Sequence, residues 1–439
     1  MRQTLVGQIF NSIADAGRDL LDLGSGKQRN QTIEGVCRDL LTQKGEASGI
    51  ALAREVVLLW AELDEEGRLA FMQFLLTEVS LDPEKVDAAV KAYEADKTPE
   101  SRRALSSALE APRQELMRRI NFAPGGTAAI VDMRKFLVGL LREHPEFKIV
   151  DADLQHLLVS WFNRGFLAIE EINWNTPAAI LEKLIEYEAV HEITGWDDLR
   201  RRLDKDRRCF AFFHPALPDE PLIFVEVALV KGLASSVQPL LDLGVKRLEP
   251  TKADTAIFYS ISNCQEGLKG ISFGNFLIKQ VVAELSAELP NLKHFSTLSP
   301  VPGFMKWLSG YDGAAAKMKP AQIAEIKKTL LDPEWFRKEK VAESLKDPMQ
   351  QLVAHYLLNE KSRERPLDPV SRFHLGNGAR LERINWLGDV SENGMKQSAG
   401  LMVNYLYQLP EIENRSQKYI LNGERAIAPS LKNRLKPQK

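Results

Sequence analysis

The sequence predicts an α+β protein: an all-helical N-terminal region followed by a domain that mixes strands and helices. Three observations carry this. Up to about residue 165 the apolar residues recur near a 3.6-residue period, and no alternating stretch interrupts them. Past about residue 205, short β-branched and aromatic runs appear, bounded by proline and polar turns. Two of those runs, 256–262 and 294–298, flank a helical pattern over 276–288. That strand–helix–strand order predicts a parallel pair with a right-handed crossover.

Composition narrows the class. A chain of 439 residues holds two or three domains. With 44% hydrophobic and 27% charged residues it can bury a core. The net charge of −2 leaves no electrostatic footprint for nucleic acid or an anionic membrane. Cys37, Cys209 and Cys264 show no CxxC spacing, which argues for a reducing compartment and against a metal site or a disulfide framework. The opening stretch MRQTLVGQIFNSIADAGRDLL reads as an amphipathic helix rather than a signal peptide. Apolar runs fall well short of a membrane span, and the final LKPQK matches no anchor or retention signal. These features describe a soluble cytoplasmic protein.

The helical region shows its faces clearly. Ile50, Ala53, Val56, Val57, Trp60, Ala61 and Leu63 form one apolar stripe. Phe71, Phe74, Leu75 and Leu76 form a second, and Phe136, Leu137, Leu140 and Leu141 a third. Asp82-Pro83-Glu84 is a helix start, and Ala123-Pro124-Gly125-Gly126 is a loop. In the second half, 209–213 and 222–230 read as strands joined by the proline-marked turn 214–221, a hairpin. Residues 313–362 read as helical again, and 380–386 and 401–409 as late strands. The domain boundary is drawn at 158/159, giving 1–158 and 159–439.

The stretch Lys269-Gly-Ile-Ser-Phe-Gly-Asn275 lies between a strand and a helix. Glycines let a backbone turn sharply and let a ligand approach closely. Amides at a helix start, with the positive dipole end behind them, suit a pyrophosphate. Yet the pattern is not GxGxxG, and no Lys-Ser/Thr closes it, so neither a dinucleotide nor an ATP site is favoured. A plain tight turn remains the alternative. The segment GLKGISFGNFLIK resembles the glycine-rich loop with which acyl-CoA acetyltransferases of the GNAT fold hold CoA pyrophosphate, with Asn275 where a small residue would stand.

Longer stretches resemble one family. HFSTLSPVPGFMKWL (294–308), VSRFHLGNGARLERINWLGDVSENGMKQSAGLMVNYLY (370–407), DLQHLLVSWFNRGFL (153–167) and RRCFAFFHPALPDEPLIFVEVAL (207–229) are similar to malonyl-CoA decarboxylase. The likeness covers most of the chain from about residue 150 and is weaker before it. It implies a helical oligomerisation domain (a dimer or tetramer) and a GNAT-like, acyl-CoA-binding α/β domain with a central mixed sheet. It also implies conversion of malonyl-CoA to acetyl-CoA and carbon dioxide in fatty-acid metabolism, with no cofactor and no metal. On this likeness Lys269, Gly270, Ile271, Ser272, Phe273, Gly274 and Asn275 bind the CoA phosphates. Some members carry an acidic residue in place of Ser272, a change a backbone cradle should tolerate. The chain also lacks the peroxisomal Ser-Lys-Leu ending of animal members.

Decarboxylation leaves an enolate, so the protein must orient the carboxylate, stabilise an oxyanion and deliver a proton to carbon. Ser299 opens Ser-Pro-Val-Pro-Gly-Phe and either caps a helix starting near Phe304 or, as the resemblance implies, is the catalytic serine. His374 precedes Gly-Asn-Gly and matches the family's catalytic histidine, a donor to the thioester oxygen and then to carbon. Of the other histidines, His144, His156, His191 and His355 fit helix surfaces or ends, and His214 is structural. Tyr405 and Tyr407 alternate on one strand face. They are either aromatic packing or place Tyr407, and after it Asn404, near the acyl group. Asp389 orients His374 or caps a turn; the cap is the expectation.

Overall fold

The computed structural model describes residues 32–271, 276–312, 318–362 and 365–434. The amphipathic pattern at the N-terminus and residues Ser272–Asn275 lie outside them. The described residues divide into two compact units. The first comprises 32–168 with 213–222 and 264–271, the second 169–212, 223–263 and 276–434 less the undescribed positions.

The first unit is built on eight helices: α1 (Ile33–Thr42), α2 (Glu46–Glu62), α3 (Glu65–Thr77), α4 (Pro83–Ala95), α5 (Pro99–Ala108), α6 (Pro112–Asn121), α7 (Gly126–Leu140) and α8 (Lys148–Trp161). Their starts follow local chemistry. Thr32, Asp64, Asp82 and Thr98 accept backbone amides as N-caps, and prolines open α4, α5 and α6, where a missing N–H costs nothing. Of the expected stripes, Ile50, Ala53, Val56, Trp60, Phe71, Phe74, Leu75 and Leu137 are buried, whereas Ala61 is exposed. Trp60 is buried, tilts against Phe71 at 5.7 Å between ring centroids, and donates its indole N–H to Asp132 at 2.9 Å. Burying side chains of this kind contributes roughly 1.5–3 kcal/mol each.

The second unit is organised by an eight-stranded mixed sheet. Its strands are β1 (Ala168–Ile172), β2 (Arg207–Phe213), β3 (Ile223–Val230), β4 (Thr255–Asn263), β5 (His294–Thr297), β6 (Ser299–Pro300), β9 (Arg380–Asn385) and β10 (Met402–Tyr407). A separate two-residue pair, β7 (Lys361–Ser362) and β8 (Arg365–Pro366), completes the numbering. The order is β1-β2-β3-β4-β5-β10-β6, with β9 on β10. The hairpin β2–β3 and the parallel pair β4–β5 both form, with Thr255 opposite His294 and Phe258 opposite Thr297. The helices include α9 (Ala178–Tyr187), α10 (Trp196–Arg202), α11 (Phe276–Glu288), α12 (Phe304–Gly310), α13 (Pro320–Thr329), α14 (Glu339–Asn359), α15 (Pro369–Gly376), α16 (Glu392–Ser398) and α17 (Ile412–Asn422). A break at Leu298 separates β5 from β6, so both lie along one edge of β10: Leu406 pairs Ser296, and Val403 pairs Ser299. Ala228, Ile257, Tyr259, Leu298 and Met402 form a core against the sheet. Among the described residues no helix is long and apolar enough to cross a membrane.

Some elements went unread in the sequence. The strand β1 has mixed polarity (Ala-Ile-Glu-Glu-Ile), and α15 is short and carries few apolar residues, so neither shows a clear period. Two histidines depart from expectation. His191 is buried in the segment after α9, 3.9 Å from the Asp389 carboxylate. His355 is buried within α14, in contact with Glu360 and Asn359. There the run from Leu352 to Leu358 is covered on every side, so the helix has no polar face for His355 to occupy. His214 packs on Phe162 at 4.6 Å and accepts the Ala216 amide, as a structural residue should.

Candidate active site

Three elements of the sheet unit bring the predicted residues together. β6 supplies Ser299, which therefore pairs within the sheet; the cap of α12 falls to Gly303 instead. α15 supplies His374. Asp368 caps its start by accepting the Ser371 amide at 2.7 Å, and Pro369 holds its first turn. The helix stops at Gly378, whose φ of +82° suits glycine and whose missing Cβ leaves room for the Ile412 carbonyl. β10 supplies Tyr405 and Tyr407, whose alternation turns both toward His374.

The result is a hydrogen-bonded chain. His374 Nε2 lies 3.2 Å from Ser299 Oγ, and His374 Nδ1 lies 2.8 Å from the Tyr407 hydroxyl. Ser299 Oγ donates to Thr297 Oγ1 at 2.8 Å. The Tyr405 ring stacks on the imidazole at 4.7 Å. Ser299, His374 and Tyr407 are all buried, Ser299 least so at 6% exposed.

Burial decides the charge states. It pushes the His374 imidazole down to about 3, so the ring is neutral at physiological pH. It holds the Tyr407 phenol well above its usual range, with a hydrogen bond from Asn377 pulling the other way. Ser299 Oγ gives its proton to Thr297, so its contact with His374 Nε2 is a donation from the ring. The imidazole then carries its own proton on Nε2, facing Ser299. Nδ1 of the neutral ring is left to accept the Tyr407 proton, so the chain runs from Tyr407 to His374 to Ser299 to Thr297. In this arrangement His374 donates to the serine and does not take its proton.

Other site residues resolve differently. Asn404 is buried but makes its bonds elsewhere, donating to the carbonyls of Thr297 and Ala234 and accepting from Arg383 and Asn385. It buttresses the strand that carries Ser299. Asp389 accepts the Ser391 amide and the Gln238 side chain, the turn-capping arrangement expected of it. In the helical unit Lys269 and Gly270 are exposed, Ile271 is buried, and Gly270 has φ +82°. Ser272, Phe273, Gly274 and Asn275 lie outside the described residues. Three neighbours of His374 and Ser299 were missed. Thr297 was legible, since period-two alternation puts it on the face of Ser299. Asn377 sits one turn past His374 and gave only a turn signal. Asp368, wholly buried and pushed up to about 6 by burial, is the N-cap of α15.

Comparison with known proteins agrees with this architecture. Residues 165–439 match the model of the malonyl-CoA decarboxylase C-terminal domain, and 80–162 match that of its N-terminal domain. The chain belongs to the malonyl-CoA decarboxylase family. The mitochondrial malonyl-CoA decarboxylase of Anser anser anser is 41% identical over 331 residues, 70% of this chain and 66% of that protein. Its Rattus norvegicus counterpart is 38% identical over 334 residues, 70% of this chain and 67% of that one. The match thus spans about two thirds of the length of these relatives. Among solved structures, malonyl-CoA decarboxylase from Rhodopseudomonas palustris superposes with a TM-score of 0.88 at 50% identity, covering 91% of this chain and 98% of that one. The Agrobacterium vitis malonyl-CoA decarboxylase gives 0.86 at 47% identity, with 93% and 100% covered. Together the two family models reach from residue 80 to 439, and the two structures cover more than nine tenths of the chain, so the weaker likeness before residue 150 is divergence within one architecture.

Proposed function

We propose that this chain is a carboxy-lyase that converts malonyl-CoA to acetyl-CoA and carbon dioxide, with Ser299, His374 and Tyr407 as its reacting centre. The observation that carries the assignment of roles is the chain of contacts that runs from Tyr407 through His374 to Ser299 and Thr297. The bond from the malonyl Cα to its carboxylate breaks, and its electron pair enters the thioester carbonyl to give an enolate. Carbon dioxide leaves, and Cα takes one proton. Ser299 is the least buried member, so it meets the substrate. Turned from Thr297, its hydroxyl donates to the carboxylate and then to the developing oxyanion. His374, its Nε2–H on Ser299, holds the serine oxygen; as the serine proton passes to Cα, the Nε2 proton moves to the serine, the Tyr407 proton moves to Nδ1, and water returns one proton to the chain before the next turnover. Tyr407 fixes the imidazole tautomer from behind. A neutral His374 suits this task, because a cation there would hold the carboxylate in its ground state.

Lys269, Gly270 and Ile271, with Ser272–Asn275 after them, bind the CoA phosphates in this reading. The left-handed Gly270 and the exposed Lys269 support it. Cytoplasmic location and self-association through the helical domain 1–158, as a dimer or tetramer, belong to the same proposal. All three cysteines are buried free thiols, as a reducing compartment requires. The deciding experiment supplies purified protein with malonyl-CoA alone, without metal, nucleotide or acyl acceptor. Release of carbon dioxide and acetyl-CoA in equal amounts is expected; acyl transfer to an acceptor, or binding without turnover, would replace this reading. Light scattering of a chain cut before about residue 150 tests the assembly, and an undiminished particle would place the contacts elsewhere.

A further inference from the structure

The turn that carries Lys269 is held by one buried arginine. Arg134, on α7, is 2% exposed. Its Nη1 donates to the carbonyls of Gly267 at 2.7 Å and Lys269 at 2.9 Å, while its Nε donates to Asp151 on α8 at 2.8 Å. One helical turn past Asp151, the Gln155 amide donates to the Gly270 carbonyl at 3.3 Å. Gly267 is pressed against α7 so closely that a Cβ would collide with the Val131 carbonyl. Three carbonyls of a four-residue stretch therefore face α7 and α8. Because the peptide unit is planar and trans, the Gly270 N–H points away from Arg134. The turn thus presents an amide and the Lys269 residue outward from a backbone locked on its other side.

We propose that Arg134 is a positioning residue for CoA: it fixes the backbone of 267–270 so that the Gly270 amide and Lys269 meet a pyrophosphate. The inference rests on the reading of this turn as a phosphate cradle. It adds that the helical unit, which carries no reacting group, sets the cradle's shape. Arginine is required because two carbonyls and a carboxylate are served at once by a planar fork, and an ammonium cannot reproduce that geometry.

The test compares malonyl-CoA with malonyl-pantetheine, which lacks the nucleotide and its phosphates. Arg134→Lys keeps the charge beside Asp151 and loses the fork. It should raise KM for malonyl-CoA about tenfold, the worth of one charge-assisted hydrogen bond, while kcat and the KM for malonyl-pantetheine stay put. Gln155→Met, at a half-buried position, should act in the same direction by about two- to threefold. It decides the matter should Arg134→Lys fail to fold. Lys269→Ala serves as the control for the cradle itself. Discrimination between the substrates by Lys269→Ala, with none by the folded Arg134→Lys or by Gln155→Met, overturns the positioning role and leaves the cradle standing. Equal effects on both substrates in all three variants overturn the cradle, and Arg134 with it. Thermal melts exclude general loss of fold, which would move both substrates alike.

Discussion

In the sheet unit, Ser299, His374 and Tyr407 stand on regular elements and bond to one another through their side chains. In the helical unit, residues 267–270 stand on a turn and are bonded through their carbonyls to Arg134 and Gln155. In the first region the chemical identity of each side chain carries the site. In the second the path of the backbone would carry the proposed phosphate cradle, and the side chains that hold it belong to other elements. A reacting group needs a defined proton on a defined atom, which side-chain hydrogen bonds supply. A phosphate needs a concave run of amides, which backbone geometry supplies.

The comparison is sharpened first by removing the proposed reacting groups. Ser299→Ala and His374→Ala should each lower kcat by about 10²–10⁴-fold, roughly 3–5 kcal/mol of barrier, with KM for malonyl-CoA little changed. The double variant should lose less than the sum, since both act on one transition state. Steady-state kinetics checks this; a His374→Ala protein with near-normal kcat would make the histidine structural and Tyr407 the donor to examine.

The loop should respond in the opposite parameter. Gly274→Val should raise KM for malonyl-CoA about 10- to 100-fold, the worth of one hydrogen bond to a charged group, and spare malonyl-pantetheine. Equal loss on both substrates would erase the contrast between the two regions.

Tyr407→Phe keeps the ring and removes the hydroxyl that donates to His374 Nδ1. The cost of a buried, unpaired ring nitrogen is about 1–3 kcal/mol, and the imidazole can then adopt the wrong tautomer. A fall in kcat of about tenfold is expected, smaller than that of His374→Ala. An unchanged kcat would show that the tautomer is held some other way.

The last contrast concerns acid stability. His374 falls from an ordinary 6.5 to about 3 on folding, so below pH 6.5 the unfolded chain takes a proton that the native one refuses. Stability is therefore lost as pH falls from about 6.5 toward 3. Asp368 rises from 3.8 to about 6, so between those values the native state holds the extra proton and stability grows as pH falls. Each slope is about 1.4 kcal/mol per pH unit at most, and they oppose one another between pH 6 and 4. Urea unfolding should find His374→Gln gaining stability relative to wild type as pH drops through that window, and Asp368→Asn losing it. Parallel curves would mean that neither group titrates as its burial implies.

Much of this was legible before any coordinates. Helix α11 spans the very residues its apolar spacing marked, 276–288, and the β4–β5 pair follows from the order of elements around it. The alternation of Tyr405 and Tyr407 was enough to give them one face. Arg134 was not legible. On an amphipathic helix an arginine reads as solvent-facing, and its carbonyl partners lie 133 and 135 residues further along the chain. His191 and His355 misled for the same reason: burial depends on what packs against a residue, which its own neighbours do not encode.

The sequence by itself determined the periods, the caps and the family, because each depends on residues within a turn or two of one another or on long identical stretches. Only the tertiary structure decided which atoms meet. Ser299 is 75 residues from His374, and His374 is 33 from Tyr407. Pairing of β10 with β6 on one edge and the docking of α15 beside it bring them within hydrogen-bonding distance. Burial of that contact then strips His374 of its charge, and Thr297, through Ser299, assigns its proton. Both are consequences of desolvation and of a full set of partners, which exist only once the chain has folded.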